Sequence, residues 1–216
     1  VDLLRDRQQQ AELAEEREAV QLRIAAIQDQ HLAQPDAAIE TLEAIFLDNP
    51  GRPGAVDSLE RIAEQREDQR PRAFAILRPI YEETGNHQRI VDVDEWQLSV
   101  TDDPTRRHEL YREMASLMEP SGDQGPLYAF QTLIRGLSEP GPVDALILLD
   151  AEVRRLVKLL GAFEVLTEAL IQAAESEALA EDDERRVSLL MQAAELQLGS
   201  GDNSLAVQLL QQSLAI

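Results

Sequence analysis

At 216 residues, with 41 acidic side chains against 20 basic ones, the chain carries a net charge of −21, and its apolar content of 44% is ample for a buried core. A surface this acidic repels phosphate backbones and anionic membrane surfaces, so nucleic acid is excluded as a general partner; the charge serves solubility or a basic partner. The absence of cysteine excludes a disulfide framework, a thiolate metal site and a cysteine nucleophile, and no apolar run approaches the roughly 20 residues that membrane insertion requires.

The apolar residues are mainly Leu, Ala, Ile and Val, and aromatics make up only 4%. Ala and Leu are strong helix formers, and the strict alternation of a strand is not evident; its nearest candidates, Ile90–Val93 and Ala145–Leu149, sit inside helical patterns. Lys158 is the one lysine among the basic residues, which reads as a bacterial-like composition bias and not as an arginine site.

Pro and Gly punctuate the chain at helix-length intervals. A first helix is expected from about Leu3 to Leu32, very polar over Arg5–Glu18, with Leu13, Val20, Ile24 and Ile27 at helical spacing. The second opens at Gln34-Pro35-Asp36 and closes at Asn49-Pro50-Gly51. The third begins near Pro53, and the fourth follows Arg70-Pro71, where Pro79 is expected to kink or shorten it before the Gly85 cap. The fifth holds Ile90, Val91, Val93, Trp96 and Leu98, and Asp102-Asp103-Pro104 opens the sixth. After the turn-rich stretch Glu119–Pro126 come a seventh helix to Pro140, an eighth through Leu146, Leu149 and Val153 to Gly161, and a ninth through Leu166 and Leu170. Asp182-Asp183-Glu184 gives the tenth an acidic first turn, and after Gly199-Ser200-Gly201-Asp202 an eleventh runs out at Ile216. Short connections and no long linker predict one continuous array over residues 1–216. With no initiator Met and a final helix cut in its pattern, that array is expected to be a piece of a longer protein.

Candidate chemistry is sparse. His31, His87 and His108 share no metal-ligand spacing and read as surface or loop residues. The carboxylate runs Asp92-Val93-Asp94-Glu95 and Glu181-Asp182-Asp183-Glu184 lack calcium-loop spacing and read as a solvated helix face and a helix N-terminus. No phosphate-binding glycine loop, nucleophile elbow or Ser-His-Asp arrangement stands out. No enzyme activity, cofactor or metal is therefore expected. Trp96 is expected to pack between helices, with an exposed binding anchor as the other reading.

Two distant stretches share one frame. Leu22, Ala25 and Ala26 are followed by Ala38, Leu42, Ile45 and Pro50; Leu190, Ala193 and Ala194 are followed by Ala206 and Leu210. Repetition at this scale predicts stacked helix pairs. The frame resembles the tetratricopeptide repeat family, in which small residues let the two helices of a pair approach closely. Asp29 and Gln197 stand where that family prefers Tyr, and Ile45 and Ser213 where it prefers Ala. A looser copy surrounds Met114, Ala115, Ala129, Leu133 and Pro140, and the stretches 52–103 and 143–179 read as diverged pairs. The resemblance implies an all-α fold, an α-solenoid of antiparallel helix pairs wound as a right-handed superhelix of about eleven helices.

It also implies a non-catalytic scaffold or adaptor that binds a protein or peptide partner in its groove. The equivalent groove positions are Val20, Ile24, Ile27 and His31 in the first copy and Ser188, Gln192, Glu195 and Gly199 in the last. They form no basic clamp, so a chaperone tail is disfavoured and a partner helix or extended segment is favoured. The alternatives are a regulatory or sensor segment of a larger signalling enzyme and a self-assembling structural component. The cytoplasm is the favoured setting, and the sequence leaves the oligomeric state open.

Overall fold

The computed structural model describes residues 1, 3–4, 14–49, 51–200 and 203–216. Among them the fold is all-α, as expected, with eleven α-helices and no strand. They are α1 (Ala14–Gln30), α2 (Pro35–Asp48), α3 (Pro53–Gln65), α4 (Arg70–Thr84), α5 (His87–Val100), α6 (Pro104–Met118), α7 (Gly125–Leu137), α8 (Val143–Leu160), α9 (Phe163–Ala174), α10 (Asp183–Ser200) and α11 (Asn203–Ser213), with a short 3-10 turn at Glu177–Leu179. The polar stretch 5–13 of the expected first helix, Pro50 of the repeat frame and the Gly201-Asp202 turn lie outside the described residues.

Local chemistry sets the helix ends. Proline occupies the first turn of α2, α3, α4, α6 and α7, where its missing N–H has no intrahelical partner to lose. The Asp103 side chain caps α6 by accepting from the Thr105 N–H at 3.0 Å. Gly85 closes α4 in the left-handed region, at φ 66°. Of the two effects expected of Pro79, a kink or a shortened helix, the shortening does not occur: α4 continues to Thr84. Both Pro79 and Ala75, whose carbonyl loses its donor, are exposed, so water satisfies the freed oxygen.

Contacts gather the chain into two compact units, residues 1–93 and 94–216. In the first, α1 pairs with α2 and α3 with α4, while α3 also packs on α2 and α1. Ala38, Ile39, Leu42, Leu59, Ala63 and Leu77 are almost fully buried there. Asp29 is buried and ties the pairs together, accepting from Arg66 Nε at 2.8 Å, while Arg66 Nη2 donates to the Asp29 carbonyl at 2.9 Å. Tyr81 donates to Glu60 at 2.5 Å, and burial together with that bond pushes its phenol pKa up.

In the second unit α7 lies centrally, packing on α6, α8 and α9, and α10 packs on α9 and α11. One apolar cluster runs through it, including Phe130, Leu133, Leu149, Leu156, Leu170 and Leu190. Gln197 in the last copy donates to Thr167 of α9 at 3.0 Å. Asp29 and Gln197, which share one position of the repeat frame, thus each join one helix pair to a neighbouring one.

Arginines supply most of the other ties. Arg112 reaches Glu152 at 2.7 Å, Arg155 reaches Glu119 at 2.6 Å, and Arg135 reaches Glu95 at 2.6 Å. Arg107 is bonded to Glu139 twice, at 2.6 and 2.7 Å, with Tyr111 also donating to Glu139 at 2.6 Å. Burial pushes the Glu139 carboxyl up, but Arg107 and Tyr111 outweigh it and hold it below the ordinary range. A depressed carboxyl stabilises the fold above its unfolded pKa, about 4.3, and that stabilisation is lost as pH falls through the lower folded value. Glu139→Gln is expected to cost about 1–3 kcal/mol at neutral pH, with a smaller gap to the parent at an acidic pH below about 4.3. Urea unfolding at both pH values tests this, and a gap of constant size would refute it.

Candidate functional site

The two units offer different surfaces to a ligand. In the second, α8 packs back on α7 and α6, whereas α10 turns toward α9 and α11. Between α8 and α10 lies a cleft of about 330 Å³. Its α8 wall is Val143, Leu146, Ile147 and Asp150, spaced to share one helix face. Its α10 wall is Asp182, Glu184, Arg185, Ser188 and Gln192, and Gly141 closes one end.

Leu146 belongs to the stripe Leu146, Leu149, Val153 and Leu156 that packs α8 into the core. Val143 and Ile147 fall beside that stripe and stay 69% and 59% exposed, so the wall is apolar without being part of the core. Opposite them, the Asp182 side chain accepts from the Arg185 backbone N–H at 3.0 Å and fixes the first turn of α10. The Arg185 guanidinium is drawn inward, where Nη2 donates to the Leu137 carbonyl at 3.3 Å. Its buried Nε has no hydrogen-bond partner among the described residues. Burial lowers the Arg185 pKa, and Asp150 and Asp182 partly offset this; the group stays cationic. Asp150 accepts from Arg154 at 2.7 Å. With Asp150, Asp182 and Glu184 against Arg185, the rim is acidic around a donor that is not fully used.

Of the groove positions expected from the repeat frame, Ser188 and Gln192 line this cleft, and Gln192 Nε2 donates to Ser188 Oγ at 3.5 Å. Glu195 is exposed farther along α10, outside the lining, as is Gly199. In the first unit Val20 and Ile27 are half-buried and His31 is exposed in the turn after α1. Ile24 is 3% exposed, so it belongs mainly to the core. It borders a shallow hollow with Gln28 and Thr41, whose hydroxyl donates to Gln28 at 2.8 Å.

Two other expectations need correction. His108 is fully buried instead of lying at the surface: Nδ1 is bonded to the Pro104 carbonyl at 2.5 Å, and the ring fills the space that the missing side chain of Gly141 leaves. The 92–95 run is a solvated face only in part: Asp92 is exposed, but Asp94 is fully buried, because it falls on the stripe that carries Ile90 and Leu98, four residues either way. The surface reading holds for His31 and His87, which are exposed, and Trp96 is half-buried.

Ile147 and Arg185 are among the lining residues that the repeat frame does not mark. Ile147 had a weak signal, an aliphatic pair with Val143 at i, i+4 outside the core stripe. Arg185 had none. Among the described residues no group of His, Asp and Glu is arranged to hold a metal ion, and no helix is long and apolar enough to cross a membrane. Comparison with family models, curated proteins and solved structures returns no match for this chain.

Proposed function

We propose that the protein is a non-catalytic interaction module, of tetratricopeptide type by its repeat frame, that holds a short helical or extended segment of a protein partner between α8 and α10. The observation that carries this reading is the cleft itself, in which the exposed aliphatic side chains Val143 and Ile147 face a polar wall with an acidic rim. Such a surface suits an aliphatic side chain laid on Val143, Leu146 and Ile147. The acidic rim adds a preference for Lys or Arg beside it.

Selection from a displayed library of short peptides, followed by calorimetry on the enriched ones, tests the proposal. Enriched peptides should pair an aliphatic residue with a basic one. Ile147→Asp should weaken them at least about tenfold, equivalent to about 1.4 kcal/mol, without loss of helicity, since Ile147 is exposed. No enrichment, or binding indifferent to Ile147→Asp, would sink it.

A further inference from the structure

Of the three carboxylates in the cleft, Asp150 is the one held by an arginine from outside the lining. Val143, Ile147, Asp150 and Arg154 share one face of α8, at i, i+4, i+7 and i+11. The first three line the cleft, and Arg154 follows one turn beyond them. From there its Nε donates to Asp150 Oδ2 at 2.7 Å. The Arg185 guanidinium on the α10 wall also feels the Asp150 charge, which offsets part of the effect of burial on it.

The other two carboxylates are engaged differently. Asp182 accepts from the Arg185 backbone N–H and is committed to the first turn of α10, whereas Glu184 is exposed to solvent. Asp150 is paired instead with a side chain of the same charge that a basic ligand would bring. That pair is loose. Arg154 holds Asp150 through Nε alone among the described residues, and the two side chains remain 39% and 25% exposed. An i, i+4 ion pair so open to water adds little to the fold. A Lys or Arg of a bound segment therefore finds Asp150 already neutralised, and must displace Arg154 or sit against its repulsion.

We infer that Arg154 is a built-in competitor for the cleft: its guanidinium occupies the Asp150 carboxylate that a basic residue of the bound segment would otherwise take, and so sets which basic segments are admitted. The inference rests on the reading of the cleft as a docking site and adds that its acidic rim is partly occupied by the protein itself. A segment anchored by an aliphatic side chain on Val143 and Ile147 brings its basic residue to Asp150 at high local concentration and displaces Arg154. A segment that is merely basic exchanges one exposed ion pair for another and gains nothing. Specificity here comes from a repulsive element beside the attractive one.

Calorimetry tests this with two probes: the tightest-binding peptide from the library selection, and its counterpart in which Gln replaces the basic residue. Arg154→Gln should tighten the basic peptide about two- to fivefold, the range that an exposed ion pair commands, and leave the Gln peptide unchanged. The gain should shrink with added salt and vanish when Asp150→Asn is also present, because the effect runs through that carboxylate. Lys158→Gln removes the same charge from an exposed position one turn farther along α8 and should leave both affinities unchanged. Suppose Ile147→Asp weakens the basic peptide as expected while Arg154→Gln leaves it unchanged or weaker: the inference is then overturned and the docking reading stands. A gain shared by the Gln peptide or by Lys158→Gln, or one that persists with Asp150→Asn, overturns it in the same way. A selection that enriches no peptide overturns both.

Discussion

Phe130→Ala is expected to destabilise the protein by about 3–5 kcal/mol, among the largest effects of any single truncation in the chain. Phe130 heads the fully buried side chains by volume and is 0% exposed. It sits on α7, the helix of its unit that packs on α6, α8 and α9 together. Deleting the ring removes its transfer free energy and leaves a void that three flanking helices must move to close. Aromatics are only 4% of the chain, so few other rings are at hand to refill the space. A loss of this size is a large fraction of the roughly 5–15 kcal/mol that keeps a domain folded. Chemical denaturation should show a lower midpoint at an unchanged slope. Phe163→Ala provides the contrast: Phe163 is 44% exposed, and its loss should cost under about 1 kcal/mol. Equal costs for the two would show that burial is not what decides.

What was legible in the sequence follows from how far each signal reaches. Pro35, Pro53, Pro104 and Gly85 act on their own backbone, and the helices begin or end beside them. Pro79 acts through the carbonyl four residues back, so its effect depends on whether that oxygen can reach water. Asp94 and His108 were misread because a polar residue on an apolar stripe can be buried when the fold provides for it, as Gly141 does for the imidazole. Of the cleft lining, the repeat frame marks only Ser188 and Gln192, since it fixes which face of α10 they share. It could not locate Ile147 or Arg185. Their place depends on α8 and α10 standing apart, which is a result of packing across the whole unit and not of local spacing.

Glycine substitutions test the close approaches that set these helix positions. Gly125→Ala is expected to cost about 3 kcal/mol, at the upper end of the usual range for overpacking. A Cβ on Gly125 would lie 2.4 Å from the Glu119 carbonyl oxygen and 2.6 Å from that of Met118. Both obstacles are backbone, so no rotamer change relieves them. The segment cannot drift easily either, because the Glu119 carboxylate is held by Arg155 at 2.8 and 2.6 Å. The clash therefore falls on the entry angle of α7, which seats Phe130. Two other glycines separate this cause from general glycine effects. Gly122 has φ 76° and nothing within 4 Å of an added Cβ, so Gly122→Ala meets only the left-handed backbone penalty of about 1–2 kcal/mol. Gly199 lies in α10 with open space around it, and Gly199→Ala should gain up to about 1 kcal/mol of helix propensity. Thermal unfolding should rank the three variants in that order, with only Gly199→Ala above the parent. If Gly125→Ala were no worse than Gly122→Ala, the turn before α7 would have room to yield, and close approach would not be what fixes that helix.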